Sequence, residues 1–185
     1  TQMSSLQDKL YKTIKVKNND EDEEIGISEN VDLQQRVQVS NIIYPNETLF
    51  DKDDKNKLSS NFDIKNVYGL NGLKNILNGI DQMKLVYKEN ILKEYGEIFD
   101  YTEIEKYSPK IKLLLDYIKN SEGIVLIYSK YIYSGIIPIA LALEHLGYNK
   151  YNNNNLFGKK RTKKSKGDYI IISGNSKLSP NNTKE

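Results

Sequence analysis

The sequence predicts an α/β fold: part of a doubly wound parallel sheet, with a largely helical and irregular N-terminal flank. Three observations predict it. A helix signal over Ser108–Ile118 is followed by an unalternated apolar run, Ile124–Tyr128, and then by a second helix signal that ends at Gly147. A second apolar run, Tyr169–Ile172, comes after a polar loop and ends in Ser173-Gly174-Asn175. Right-handed crossover lays two such strands parallel, which makes half of a doubly wound sheet.

Each element has its own signal. Ser108 is placed to cap a helix, Pro109 takes the tolerated first position, and Ile111, Leu114, Leu115 and Ile118 recur at i, i+3, i+4 and i+7. Glu122-Gly123 breaks that pattern. Ile124-Val125-Leu126-Ile127-Tyr128 then reads as a strand covered on both faces, ending in polar Ser129-Lys130. Ser134 or Gly135 starts the next helix, which accommodates Pro138 in its first turn. It presents Ile139, Ala140, Leu143 and Leu146 before Gly147 stops it.

Residues 1–104 read as connecting and flanking structure, and 105–185 as the sheet-forming unit. Met3, Leu6, Leu10 and Ile14 form a helical stripe behind Ser4 or Ser5 as cap. Residues Asn18–Asn30 are polar enough to predict an exposed loop. Leu33 and Val37 share a helical face, and Ile42-Ile43-Tyr44 runs into Pro45, which ends the element. Residues Asn46–Lys65 predict a surface excursion. Tyr68–Gly72 opens a short helix through Leu73, Ile76 and Leu77, closed by Gly79, while Met83–Phe99 is too irregular to assign.

Composition narrows the classes. A hydrophobic share of 38% in 185 residues and a mean hydropathy of -0.63 are low for a well-filled core. No apolar run reaches the ~18 residues of a membrane span, so no membrane role is expected. Zero cysteines and one histidine remove disulfides, thiol nucleophiles and the usual zinc sites, and make an intracellular setting the expectation. The net charge of +2 hides segregation. Asp20–Glu24 is wholly acidic and reads as a surface loop, whereas Lys159–Lys166 holds six bases in eight residues. Thr1 in place of an initiator methionine and a helix-start signal at Ser179-Pro180 lead to the expectation of a piece of something longer.

Tyr107–Ile111, then Gly123–Tyr148, then Tyr169–Asn182 resemble the second RecA-like lobe of superfamily 2 helicases. The closest kind is that of large nucleocytoplasmic DNA viruses, related to poxvirus early transcription factor helicases. Upstream, Met3-Ser4 with Gln7 and Tyr11, Arg36–Pro45, and Tyr68-Gly69-Leu70 resemble the segment joining the two lobes in that group. The resemblance implies a truncated RecA-like lobe from an ATP-dependent motor acting on DNA or RNA, in host cytoplasm or virion if viral. Missing are a G-x-x-x-x-G-K-[ST] phosphate loop and an Asp-Glu pair after an apolar strand. The arginine finger of such a lobe would follow Glu185. ATP and Mg therefore belong to the intact parent together with its first lobe and the rest of the second, and this chain alone is expected to be inactive.

Candidate contacts follow from strand ends and charge. Ser129 and Lys130 stand where open α/β sheets place ligands, and the resemblance puts that strand end near a nucleic-acid backbone. Ser173, Gly174 and Lys177 end the second strand in the same manner, Gly174 permitting close backbone approach. Lys159, Lys160, Arg161, Lys163 and Lys164 would add sequence-independent affinity through counterion release. His145, alone near a helix end, is assigned no site role, and the 14 tyrosines read as packing. Two rivals remain: a non-enzymatic module that binds nucleic acid or an acidic protein, and a small-molecule enzyme with its site at the strand ends. Acid-base candidates are lacking for the second.

Overall fold

The computed structural model describes residues 2–14, 25–51, 53–54, 57–151, 154–157 and 165–179, with 25–32 as backbone. Helices dominate. In chain order they are α1 (Ser5–Thr13), α2 (Ile25–Asn41), α3 (Gly69–Ile76), α4 (Glu89–Tyr95), α5 (Ile104–Tyr107), α6 (Pro109–Lys119) and α7 (Ile137–Leu146). Two small sheets accompany them: β1 (Leu77–Asn78) pairs antiparallel with β2 (Val86–Tyr87), and β3 (Asn149–Lys150) pairs parallel with β4 (Asp168–Tyr169). The structure is thus mixed helix and sheet. No described helix is long and apolar enough to cross a membrane.

Several helix boundaries stand where local chemistry puts them, but α3 ends at Ile76, short of the expected stop at Gly79, and α7 starts at Ile137 and not at Ser134 or Gly135. Ser4 and Gln7 form a reciprocal capping box on α1, Ser108 accepts from the Ile111 N–H on α6, and Pro109 opens that helix. A π-turn, Ile132–Ile136, leads into α7, which carries Pro138 in its first turn and stops at Gly147 with φ 102. Gly79, with φ 79, turns the chain immediately after β1, at the start of the β1–β2 connection.

Three expectations are corrected. Ile124–Tyr128 is not a buried strand: it carries no regular secondary structure, and Ile124, Leu126 and Tyr128 are 101%, 92% and 89% exposed. Its expected partner run Tyr169–Ile172 is strand only at Tyr169, and that residue pairs with Lys150 instead. β-branched composition selects an extended backbone, but a sheet also needs neighbours to take its hydrogen bonds, and the described residues supply none to this stretch. No doubly wound sheet is formed among the described residues. Secondly, α2 begins at Ile25, inside the span expected to be loop. Thirdly, Leu33 and Val37 face outward, whereas Val39 is buried and the Gln7 amide donates to the Val39 carbonyl at 2.9 Å. Polar Gln7 and Gln38 sit on the packed side of this helix pair, so apolar spacing alone picked the wrong face.

One hydrophobic cluster runs from Leu10 to Leu178, crossing residue 104. Its centre is Tyr44, Phe99, Ile42, Ile43, Leu73, Ile76, Leu85 and Ile91, all buried. All eight lie upstream of residue 105, in the part expected to be connecting and flanking structure. Met83–Phe99, unassigned by pattern, contributes β2, α4 and the buried Leu85, Tyr87, Ile98 and Phe99. Short elements with irregular spacing still bury well when the chain folds back on itself.

Candidate nucleic-acid interface

The chain leaving the first apolar stretch is organised by hydroxyls. Ser129 Oγ donates to the Tyr131 carbonyl at 3.1 Å and accepts from the Tyr131 N–H at 3.2 Å. It also lies against Gly135, where an added Cβ would come within 2.0 Å of it. Ser129 is therefore occupied in holding its own turn. Lys130 is exposed, with its ammonium 6.0 Å from the centroid of the Tyr131 ring.

The following π-turn is fixed from below. Buried Ser134 accepts from the Gly69 N–H at 2.7 Å and donates to the Gln38 side chain at 3.1 Å, tying the turn to α3 and α2. The hydroxyl of Tyr44 donates to the Tyr133 carbonyl. Burial pushes the Tyr44 phenol well above its ordinary value, so it stays a neutral donor at physiological pH. Tyr133 is thereby held at the edge of the molecule.

The second turn, residues 173–179, caps itself. Ser173 Oγ accepts from the Asn175 N–H at 3.3 Å, Asn175 Oδ1 accepts from the Lys177 N–H at 3.0 Å, and the Ser173 N–H donates to Ser179 Oγ at 3.0 Å. These bonds fix the backbone and leave the Lys177 side chain exposed. A Cβ on Gly174 would meet nothing within 4 Å, so the surface over this turn is open.

Tyr133 and the run Gly174–Lys177 line one crevice of about 270 Å³, closed on its other side by Leu70, Ile80, Asp81 and Met83. The π-turn, through Tyr133, and the 174–177 turn therefore share a crevice although the two apolar stretches do not pair. Lys177 supplies its positive charge and Asp81 an opposing one. Ser129 and Lys130 do not line it, and Ser173 adjoins it through Gly174. Lys159, Lys160, Arg161, Lys163 and Lys164 lie outside the described residues. Comparison with family models, curated proteins and solved structures finds no match.

A larger crevice of about 420 Å³ lies elsewhere, between Met3–Ser4 and the first turns of α6, and includes Lys112 and Asp116. Lys112 Nζ bonds both Asp116 oxygens at 2.9 Å, and Tyr101 donates to the same carboxylate. The Lys112 ammonium and then the Tyr101 hydroxyl hold the Asp116 carboxyl below its usual range. A carboxylate so fully engaged is no general base.

Sequence reasoning missed Glu144. It is buried, and it accepts from the Leu156 N–H at 2.6 Å, the Phe157 N–H at 2.9 Å and the Tyr169 hydroxyl at 2.6 Å. One carboxylate thus joins α7, the Leu156-Phe157 loop and β4. Its only signal in the sequence was a lone acid in a helix that is apolar up to that point.

Proposed function

We propose that the chain grips the phosphate backbone of a nucleic acid at the Tyr133–Lys177 crevice, as part of the second RecA-like lobe of an ATP-dependent helicase or translocase. The observation that carries backbone binding is the meeting of Tyr133 and the 174–177 turn in one open crevice with Lys177 on it. Phosphate contacts need a donor-rich, unobstructed turn more than a deep pocket, and the 173–177 turn offers the lysine and an open approach over Gly174. The motor rests on the resemblance of Tyr107–Ile111, Gly123–Tyr148 and Tyr169–Asn182. ATP and Mg²⁺ would bind through the first lobe, since no phosphate loop exists in this chain.

The test is fluorescence anisotropy of a labelled oligothymidylate titrated with the purified chain across a salt series. Binding is expected to weaken with salt, and Lys177→Ala to reduce the slope of log K against log salt by about 0.7, the single-strand value per phosphate. A slope unchanged by Lys177→Ala removes the crevice from the interface. ATP turnover by this chain alone would contradict the motor-lobe assignment.

A second reading, a non-enzymatic module docked by another protein, is favoured by the bare side chains of Ile124, Leu126 and Tyr128. In that case Lys177→Ala leaves nucleic-acid binding unaltered, while substitutions at Ile124 and Leu126 abolish the protein contact.

A further inference from the structure

The sole histidine of the chain is nearly fully buried at the end of α7, its side chain 1% exposed, yet its Nδ1 edge looks out on two carboxylates. Glu97 Oε2 lies 3.8 Å from Nδ1 and Asp100 Oδ2 3.9 Å from it. All three ligand-type atoms fall within 4.8 Å of one another. We propose that His145, Glu97 and Asp100 bind a divalent transition-metal ion of the zinc class, through imidazole Nδ1 and one oxygen from each carboxylate.

The separations suit atoms that converge without bonding one another directly. An N–H···O bond spans about 2.7–3.2 Å, and both separations exceed that. Ligands about 2.1 Å from a tetrahedral zinc stand roughly 3.4 Å apart, so seating the ion needs a contraction of about half an ångström on the two separations from Nδ1, together with closing of the two carboxylate oxygens, which lie within 4.8 Å of each other. Glu97 can supply that movement, because its side chain is 47% exposed.

The surroundings fix each ligand as metal sites require. The Tyr87 hydroxyl lies 3.2 Å from His145 Nε2 and itself accepts from the Phe99 N–H at 3.0 Å. In the tautomer that carries its proton on Nε2, that N–H is directed at the Tyr87 hydroxyl and the Nδ1 lone pair is left for a metal, which is the outer-shell pattern that orients metal-binding histidines. The imidazole ring is clamped edge-on by Phe157 and Tyr87, with centroids 5.1 Å and 6.1 Å away. Asp100 Oδ1 accepts from the Thr102 N–H at 2.9 Å and from its hydroxyl at 2.7 Å, leaving Oδ2 turned toward His145. Glu97 and Asp100 share a tight turn closed by the Asp100 N–H on the Glu97 carbonyl at 2.8 Å, so both acids project from one short segment. Imidazole selects against Mg²⁺ and Ca²⁺, and three protein ligands with two half-exposed carboxylates leave a coordination position open to water.

A single histidine makes the test direct. Tag-free chain stripped with EDTA is titrated with ZnCl₂ by calorimetry, and the imidazole nitrogens are followed by ¹H–¹⁵N NMR. One-to-one binding is expected with Nδ1 moving to the ligated position and Nε2 keeping its proton. Glu97→Gln and Asp100→Asn are expected to weaken binding at least ~10-fold each while the imidazole cross-peaks of the metal-free chain stay in place. These two sites are partly exposed, so folding survives where loss of the buried His145 would not guarantee it. Imidazole resonances unmoved by zinc, ligation through Nε2, or affinity unchanged in both carboxylate variants would each overturn the proposal.

Discussion

Glu144 shows how one side chain can hold elements that the chain order keeps apart. Burial raises its carboxyl above the usual 4.5, while the Tyr169 hydroxyl and then the Phe157 and Leu156 N–H groups, with the Lys150 charge, pull it back without prevailing. The folded chain therefore keeps a proton in the window just above 4.5 that the unfolded chain has already released. Stability contributed by this group falls as pH rises through that window, and the loss is complete above the folded-state value. Glu144→Gln should flatten that part of the pH profile. It should also lower stability by about 1–3 kcal/mol, because an amide places its own donors against the backbone N–H groups. Urea denaturation of both chains across mildly acidic pH checks both effects, and a variant retaining the parental slope would assign it to another group.

At the scale of elements, the joints are tighter than the strands they connect. A Cβ on Gly79 would come within 1.9 Å of the Lys84 carbonyl oxygen, and the residue already holds φ 79. Gly79→Ala should therefore cost at least about 2 kcal/mol, from left-handed strain together with a clash that the β1–β2 hairpin cannot relieve. Gly72 meets a different obstacle: a Cβ there would lie 2.6 Å from Tyr44 Cδ2 and 2.8 Å from the Val67 carbonyl carbon. Gly72→Ala is expected to destabilise by about 1–3 kcal/mol by overpacking, with the Tyr44–Tyr133 hydrogen bond displaced. Thermal denaturation followed by circular dichroism measures each, and a midpoint within error of the parent would refute the close approach. Elements with local grammar were legible: Ser108-Pro109 and Gly147 act where the sequence places them, and Ser4 is the one of two candidate caps that serves α1. Pairing was not legible, because hydrophobic runs such as Ile124–Tyr128 specify extension and not a neighbour. Nor was the His145 site, whose acids lie far upstream in a stretch without periodicity, or the crevice, which needs α3, the β1–β2 hairpin and the 173–177 turn brought together.

For the whole molecule the decisive feature is a surface that behaves as two sides of a sheet without being one. Exposure along Ile124–Tyr128 alternates: Val125 and Ile127 are 43% and 36% exposed, against about twice that or more at the residues between and beside them. The second stretch repeats it, with Ile171 buried and Ile170 and Ile172 turned outward. Both stretches thus have a side facing the molecule and an apolar side facing solvent. None of the described residues takes the backbone hydrogen bonds of 124–128. Such a surface invites pairing with another strand, whether from a protein partner or a second copy. If the outward side chains serve only that pairing, replacing them leaves the folded chain untouched. Ile124→Lys with Leu126→Lys should shift urea stability by no more than about 0.5 kcal/mol, since both side chains already stand in water. The same pair should suppress concentration-dependent self-association of the isolated chain, read by light scattering on a sizing column. A double variant that unfolds would place these side chains inside the folded core. One that associates as readily as the parent would move the sticky surface elsewhere.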